Sequence, residues 1–287
     1  MKGILLACLG VLILTPDALL IRLSGLDAAP LVAWRGLAMG ACFLVAATLA
    51  GQMRHYARLA SKVGVGLVLA QAANATLFAP AIAMAPVALV LIAVATVPIW
   101  AAVLSWLLYR QPTRPATWVT IVVVCAGIVL AMTGKGDMAI SPLALIGVAC
   151  GLGVALSLAL SFTLLRHNPD IPLLPAIGTG SMLAGLTAFS VTSPAAMGAG
   201  TTWAIAVASF LVLPLSFYLM SEASRHTASV NVSLVLLLET VLGPFWVWWF
   251  LAETPNINMI TGGAIVITTL ALYLRHLRRR AWPPVPA

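Results

Sequence analysis

The sequence predicts an all-α fold: a polytopic membrane protein of ten transmembrane helices, built as a 5+5 inverted repeat with N- and C-termini cytoplasmic. Three observations predict it. The first is composition. Of 287 residues, 62% are hydrophobic and 8% are charged, and the mean hydropathy is +1.09. A soluble domain carries about 25% charged residues, so this chain cannot clothe a globule of its own in polar surface. A soluble enzyme, a secreted module and a disordered chain are excluded. The second is length: one membrane helix uses about 20 apolar residues, and ten of them leave only short loops. The third is the placing of the basic residues, which gather on one side when the apolar runs are threaded alternately through a bilayer.

Apolar runs bounded by charge or turn residues lie at 3–24, 29–50, 63–84, 86–109, 116–133, 142–165, 172–192, 202–220, 229–250 and 256–274. The first follows Lys2 and continues past Pro16 without an A-x-A cleavage site, so it is expected to remain as a span rather than to act as a signal peptide. The second is reached through the short turn Gly25 to Ala28, which makes it the antiparallel neighbour of the first. Spans three and four are divided at Met84-Ala85-Pro86, where the run barely pauses and length alone requires two helices. Spans five and ten carry threonines and no charge, as expected of outer, supporting helices. No run alternates in polarity as the strands of a membrane barrel do. The end of the chain combines Arg275-His276-Leu277-Arg278-Arg279-Arg280 with Pro283, Pro284 and Pro286. The basic cluster reads first as a topology anchor and second as a holder of anionic lipid, at about 1 kcal/mol per residue.

With the N-terminus inside, the inner positions hold Lys2, Arg54, Arg58, Lys62, Arg110, Arg114, Arg166, Arg225, Arg275, Arg278, Arg279 and Arg280, which is 12 of the 15 basic residues. The outer loops hold Lys135, and Arg22 and Arg35 fall within spans. The bias survives only for an even number of spans, so the count and the orientation support each other. It explains the net charge of +8 without nucleic acid, and the expected location is the plasma (inner) membrane of a bacterial-type cell. All four histidines, His55, His167, His226 and His276, fall at the same inner loops and helix ends. Cys8, Cys42, Cys125 and Cys150 lie inside apolar runs with no CxxC spacing, so neither a disulfide nor a metal site is expected.

Spans four and nine read alike. Leu91-Ile92-Ala93-Val94-Ala95-Thr96-Val97-Pro98-Ile99-Trp100 leads to Pro112, and Leu234-Val235-Leu236-Leu237-Leu238-Glu239 leads through Gly243-Pro244-Phe245-Trp246 to Pro255. Matching the two closing prolines divides the chain into five-helix repeats over 1–138 and 139–287. An odd number of spans per repeat inverts one repeat relative to the other, and such proteins carry their solute sites near the midplane at the repeat interface.

Four charged residues fall within the apolar spans: Asp17, Arg22, Arg35 and Glu239. Each costs about 2.5–3.5 kcal/mol at the centre of a helix in lipid, so each is expected to face protein or a cavity. Asp17 and Arg35 both lie roughly 10 Å below the outer ends of adjacent helices. They are expected to pair, either to fix two helices or as an outer gate ion pair. Arg22 is close enough to the interface to snorkel. Glu239 lies about 15 Å deep, at the midplane. With no basic residue at that level, it is expected to take up a proton and exchange it for a solute; the alternative is a protonated acid bonded to a neighbouring helix. Gly243 and Trp246 share its face, offering space and an aromatic wall. Gln71, Asn74 and Phe78 share one face of span three, and Thr96 and Trp100 share one face of span four beside Pro98. Ser157 and Ser161 in span six, and Ser209 and Ser216 around Pro214 in span eight, are further candidates, although serines often bond to their own helix. The expected substrate-binding set is therefore Gln71, Asn74, Phe78, Thr96, Trp100, Ser157, Glu239 and Trp246, with Glu239 as the proton-coupling group. Gly36-x-x-x-Gly40 and Gly147-x-x-x-Gly151 are expected to be packing grooves. No span carries a lysine or a histidine, and no HExxH, GxSxG or P-loop occurs. An enzyme, a cofactor and a metal are not expected.

At this point the sequence resembles the EamA-type transporters of the drug/metabolite transporter superfamily. The residues that carry the resemblance are Leu236-Leu237-Leu238-Glu239-Thr240-Val241-Leu242-Gly243-Pro244-Phe245 with Ala252-Glu253, and Trp34-Arg35-Gly36. Where the first half might place an acid after span four, it has Tyr109-Arg110. The resemblance implies a solute carrier, often an exporter of amino acids, metabolites or drugs. The expected partners are a small-molecule solute and membrane lipids, in a monomer or homodimer. Three functions follow as expectations: a proton-linked secondary transporter of small metabolites such as amino acids, a multidrug exporter of lipophilic cations, and a membrane scaffold that transports nothing.

Overall fold

The computed structural model describes residues 2–85, 87–133, 141–251 and 257–280, and it is helical throughout. Ten helical stretches are long and apolar enough to cross a membrane, from Lys2–Ser24 to Ile257–Leu277. Lys135, Glu253 and the proline-rich end lie outside the described residues.

Four spans are not continuous α-helices. Span one is α1 (Lys2–Leu14) and α2 (Asp17–Ser24); span two is α3 (Ala28–Leu49); span three is α4 (Lys62–Met84). Span four is α5 (Val87–Val94) and α6 (Val97–Tyr109). Spans five, six and seven are α7 (Pro115–Met132), α8 (Pro142–His167) and α9 (Leu173–Ser190). The short α10 (Pro194–Met197) precedes span eight, in which α11 (Thr202–Val207) joins α12 (Leu213–His226) through a π-turn at Ala208–Val212. Span nine is α13 (Ser229–Leu236) and α14 (Leu238–Leu251), and span ten is α15 (Ile257–Arg280).

Proline explains the first break. Pro16 has no N–H to give the Leu12 carbonyl, and Thr15 Oγ1 donates to that oxygen instead at 2.8 Å. Pro98 stands just beyond the second break, where Thr96 Oγ1 donates to the Ala93 carbonyl at 2.6 Å. Pro214 follows the π-turn of span eight. The break at Leu237 has no proline within it; Thr240 Oγ1 donates to the Leu237 carbonyl at 2.7 Å there.

The main helix pairings are α3 with α9, α4 with α8 and also with α9, α7 with α15, and α1 with α12, while α6 packs on both α8 and α13. Glycines set the closest of these approaches. A Cβ on Gly36 would lie 2.5 Å from the Gly185 Cα, and one on Gly147 would lie 2.8 Å from the Ala85 backbone nitrogen. Both small-residue stripes are thus packing grooves, which lets ordinary dispersion contacts hold helices together where no hydrophobic effect operates. Span ten is the most exposed of the ten and leans on α7, in keeping with a supporting position. Between Leu49 and Lys62 a 3-10 helix, Gln52–Ala60, carries Arg54 and Arg58 along the basic face. Arg58 donates to the Asp170 carbonyl at 3.1 Å, which ties this linker to the start of span seven.

Candidate functional site

A cavity of about 100 Å³ lies in the middle of the helix bundle and reaches toward the face opposite the basic one. Asp17, Arg35, Gln71, Asn74, Ser181 and Glu239, from five different spans, stand in its wall beside Thr240, whose hydroxyl is spent on the Leu237 carbonyl. Its apolar wall includes Met39, Phe78 and Phe217.

Two of these polar groups satisfy each other. Arg35 Nη1 donates to both carboxylate oxygens of Asp17 at 2.9 Å, and the Arg35 guanidinium carbon stands 5.8 Å from the centre of the Phe78 ring. The turn Gly25–Asp27 joins α2 to α3, yet the two do not pack closely as the sequence suggested: α2 lies on α11 and α14 and α3 on α9, and the long Arg35 side chain bridges the gap. Asp17 is the first residue of α2, where the half-helix dipole also favours negative charge.

The other four have no protein partner among the described residues. Gln71 and Asn74 are 4% and 8% exposed, yet neither side-chain amide makes a hydrogen bond. Ser181 Oγ is fully buried and unbonded. Glu239 makes no ion pair; Arg35, the cation that shares its cavity, is held by Asp17. Glu239 occupies the first turn of α14, so both acids of the cavity wall stand at the start of a half-helix created by a break. An amide or carboxyl removed from water without a hydrogen bond is costly. A cavity that admits a polar solute removes that cost.

The cavity therefore brings together six of the residues singled out from the sequence: Asp17, Arg35, Gln71, Asn74, Phe78 and Glu239. Thr96, Trp100, Ser157 and Trp246 are placed outside its lining. Thr96 spends its hydroxyl on the Ala93 carbonyl, and Trp100 packs against the main apolar core. Trp246 turns away because its Nε1 donates to Thr15 Oγ1 at 2.9 Å, pinning α14 to the break in span one. Gly243 faces the same break, with Ala18 and Thr15 as its neighbours. Ser161 and Ser209 are buried without a partner but do not line the cavity, and Ser216 bonds to the Leu213 carbonyl. Ser181 is the unbonded polar residue of the wall that sequence reasoning passed over. Its signal is faint: one serine after Gly178-Thr179-Gly180. Gly180 itself brings span seven against Gln71, since a Cβ there would stand 2.7 Å from the Gln71 Cβ.

No curated protein matches the chain. The model of the EamA-like transporter family matches residues 1–133, the first five spans. This is the half opposite the ninth-span residues on which the resemblance mainly rested. One solved crystal structure is 17% identical, with 96% of this chain and 98% of that chain covered and a TM-score of 0.79. At that identity the likeness is one of fold.

Proposed function

We propose that this chain, with the first five spans of an EamA-like transporter, is a secondary active carrier that exports small organic metabolites such as amino acids. It is proton-linked through Glu239 and works by alternating access around the central cavity. One observation carries the reading: Glu239, Gln71, Asn74 and Ser181 all present unpartnered polar groups to one cavity within the bundle. A closed scaffold has no use for four such groups, because each is cheaper to bond internally. Carboxyl, amides and hydroxyl together suit a solute that both donates and accepts hydrogen bonds.

The inverted repeat belongs to the same proposal. The strongest helix pairings support it, because several of them map onto one another when each span is exchanged with the one five places on. Spans two and seven, four and nine, and five and ten pair with each other, and the pairing of three with six exchanges with that of eight with one. The breaks at Ala95–Thr96 and Leu237 fall within about a residue of the offset that joins Pro112 to Pro255. Discontinuous helices at a midplane site are a recurrent device of carriers.

A second reading has an observation in its favour. Asp17 neutralises Arg35 and leaves Glu239 as the one charged group of the cavity wall without a counter-ion. That balance suits a lipophilic cation better than a zwitterion.

The test uses the purified protein. A panel of amino acids and quaternary ammonium compounds is first screened for ligands that raise its Tm. The ligands found are then assayed in proteoliposomes under a pH gradient. Glu239→Gln, which keeps the shape and loses the exchangeable proton, is expected to abolish gradient-driven flux while counterflow of the same solute survives. Full gradient-driven flux in the variant would sink the role of Glu239. The class of ligand that binds and competes decides between the two readings.

A further inference from the structure

We infer a second binding site, for a phosphate or carboxylate group, at the basic end of the bundle and separate from the central cavity. A cavity of about 320 Å³ opens there among the linker after α6, the start of α7, the end of α8, the start of α13 and the last turns of α15. Arg114, Arg166 and His167 line it, and no aspartate or glutamate does. Neither arginine forms an ion pair among the described residues, and Arg166 gives one N–H to the Arg225 carbonyl at 2.8 Å. Glu222, an acid elsewhere on this face, is already engaged by Arg225 and His226. Two guanidinium groups around one cavity without a counter-ion repel each other, and a bound anion relieves that repulsion. Guanidinium forks match the oxygens of phosphate and carboxylate groups better than a point charge does.

The floor of this cavity is built rather than incidental. Thr117, Ser229 and Tyr273 line it and are 6%, 1% and 6% exposed. The Tyr273 hydroxyl donates to Asn231 Oδ1 at 2.8 Å and shares a 2.9 Å hydrogen bond with Thr117, so hydroxyl and amide groups from spans five, nine and ten are locked in place. Ser229 is held by Ser105 at 3.1 Å and by Thr163 at 3.2 Å. His167 stacks on Tyr109 with ring centroids 3.7 Å apart and bonds through Nδ1 to the Thr163 carbonyl at 2.9 Å. Its Nε2 is buried without a partner. The N-termini of α7 and α13 both open on this cavity, and neither has a side-chain cap. Their dipoles add to the attraction for an anion. Two sources supply such a group at a membrane surface, the headgroup of an anionic lipid and a soluble organic or inorganic anion.

The experiment uses the full chain in an uncharged detergent. Thermal unfolding is followed against inorganic phosphate, with chloride at equal ionic strength as the control. Native mass spectrometry then compares retention of phosphatidylglycerol with that of phosphatidylcholine. The wild-type protein is expected to gain stability with phosphate or to retain phosphatidylglycerol selectively. Replacing both arginines, Arg114→Gln with Arg166→Gln, is expected to weaken that binding by about tenfold or more, the loss of charge-assisted hydrogen bonds. Response to phosphate alone assigns a soluble anion, and retention of phosphatidylglycerol alone assigns a lipid headgroup. Should the double variant not fold, the single variants serve, because both side chains are exposed. The inference is overturned if the wild type responds to neither probe, or if the arginine variants respond as the wild type does. Glu239→Gln leaves the response intact, which separates this site from the central one.

Discussion

Arg35 is the residue on which most of the chemistry of the central cavity turns. Bound to Asp17, it cancels one charge and leaves Glu239 exposed to whatever enters. The pair is held in place by burial, by the start of α2 and by the Phe78 ring, so removing one partner strands the other in a poorly solvated place. Arg35→Met is expected to destabilise the protein by about 3 kcal/mol, the lower end of the range for a broken buried pair, because the cavity wets one side of it. Asp17→Leu combined with Arg35→Met is expected to recover most of that loss. Thermal unfolding of the single and double variants measures both, and a double variant no more stable than Arg35→Met contradicts this account of the pair. Asp17 and Arg35 could be matched from the sequence because a three-residue turn holds the ends of α2 and α3 together and both residues lie a similar distance from it. Ser181 could not be, because nothing local distinguishes a serine facing a cavity from one bonded to its own helix.

At the scale of the element, glycine and the helix breaks do the positioning. Gly185 lies against the backbone of Gly36 and Leu37, next to Arg35, and a methyl group added there meets main chain that cannot move aside. Gly185→Ala is expected to cost about 1–3 kcal/mol, the range for overpacking. Gly243→Ala is expected to cost under about 0.5 kcal/mol, since its added carbon would stand 3.7 Å from Ala18. Comparison of the two unfolding midpoints in one detergent checks the difference. The face assigned to Glu239, Gly243 and Trp246 divides although all three stand in α14 and helical spacing places them on one stripe. Along that stripe α14 passes from the cavity at Glu239 to the break in span one, where Trp246 bonds to Thr15. In span four Val94, the last residue of α5, lines the cavity, while Thr96 in the break and Trp100 beyond it do not.

For the molecule as a whole, the alternating access proposed above requires the basic end to close when the central cavity opens toward the other face. Spans four and nine meet at that end through Ser105 and Ser229, whose hydroxyl oxygens are 3.1 Å apart. A disulfide needs its two Cβ atoms about 3.5–4.5 Å apart, a spacing that touching side-chain oxygens bring within reach. The variant Ser105→Cys with Ser229→Cys, made in a background without Cys8, Cys42, Cys125 and Cys150, is expected to lose transport on oxidation and regain it on reduction. Transport that continues with the cross-link formed contradicts a closing role for this contact.

Composition and charge by themselves determined that this chain spans a membrane ten times and gathers its basic residues at one end. Those properties follow from the free energy of moving side chains between water and lipid, which each segment meets on its own. Length and that transfer energy also singled out Asp17, Arg35 and Glu239, since a charge in lipid is costly wherever the rest of the protein lies. Only the tertiary structure decided which polar residues share a space, that Arg35 is spent on Asp17, and that Ser181 completes the wall while Trp246 does not. Those outcomes depend on where helices break and how closely glycines let them approach, and both are settled by packing between segments far apart in the chain.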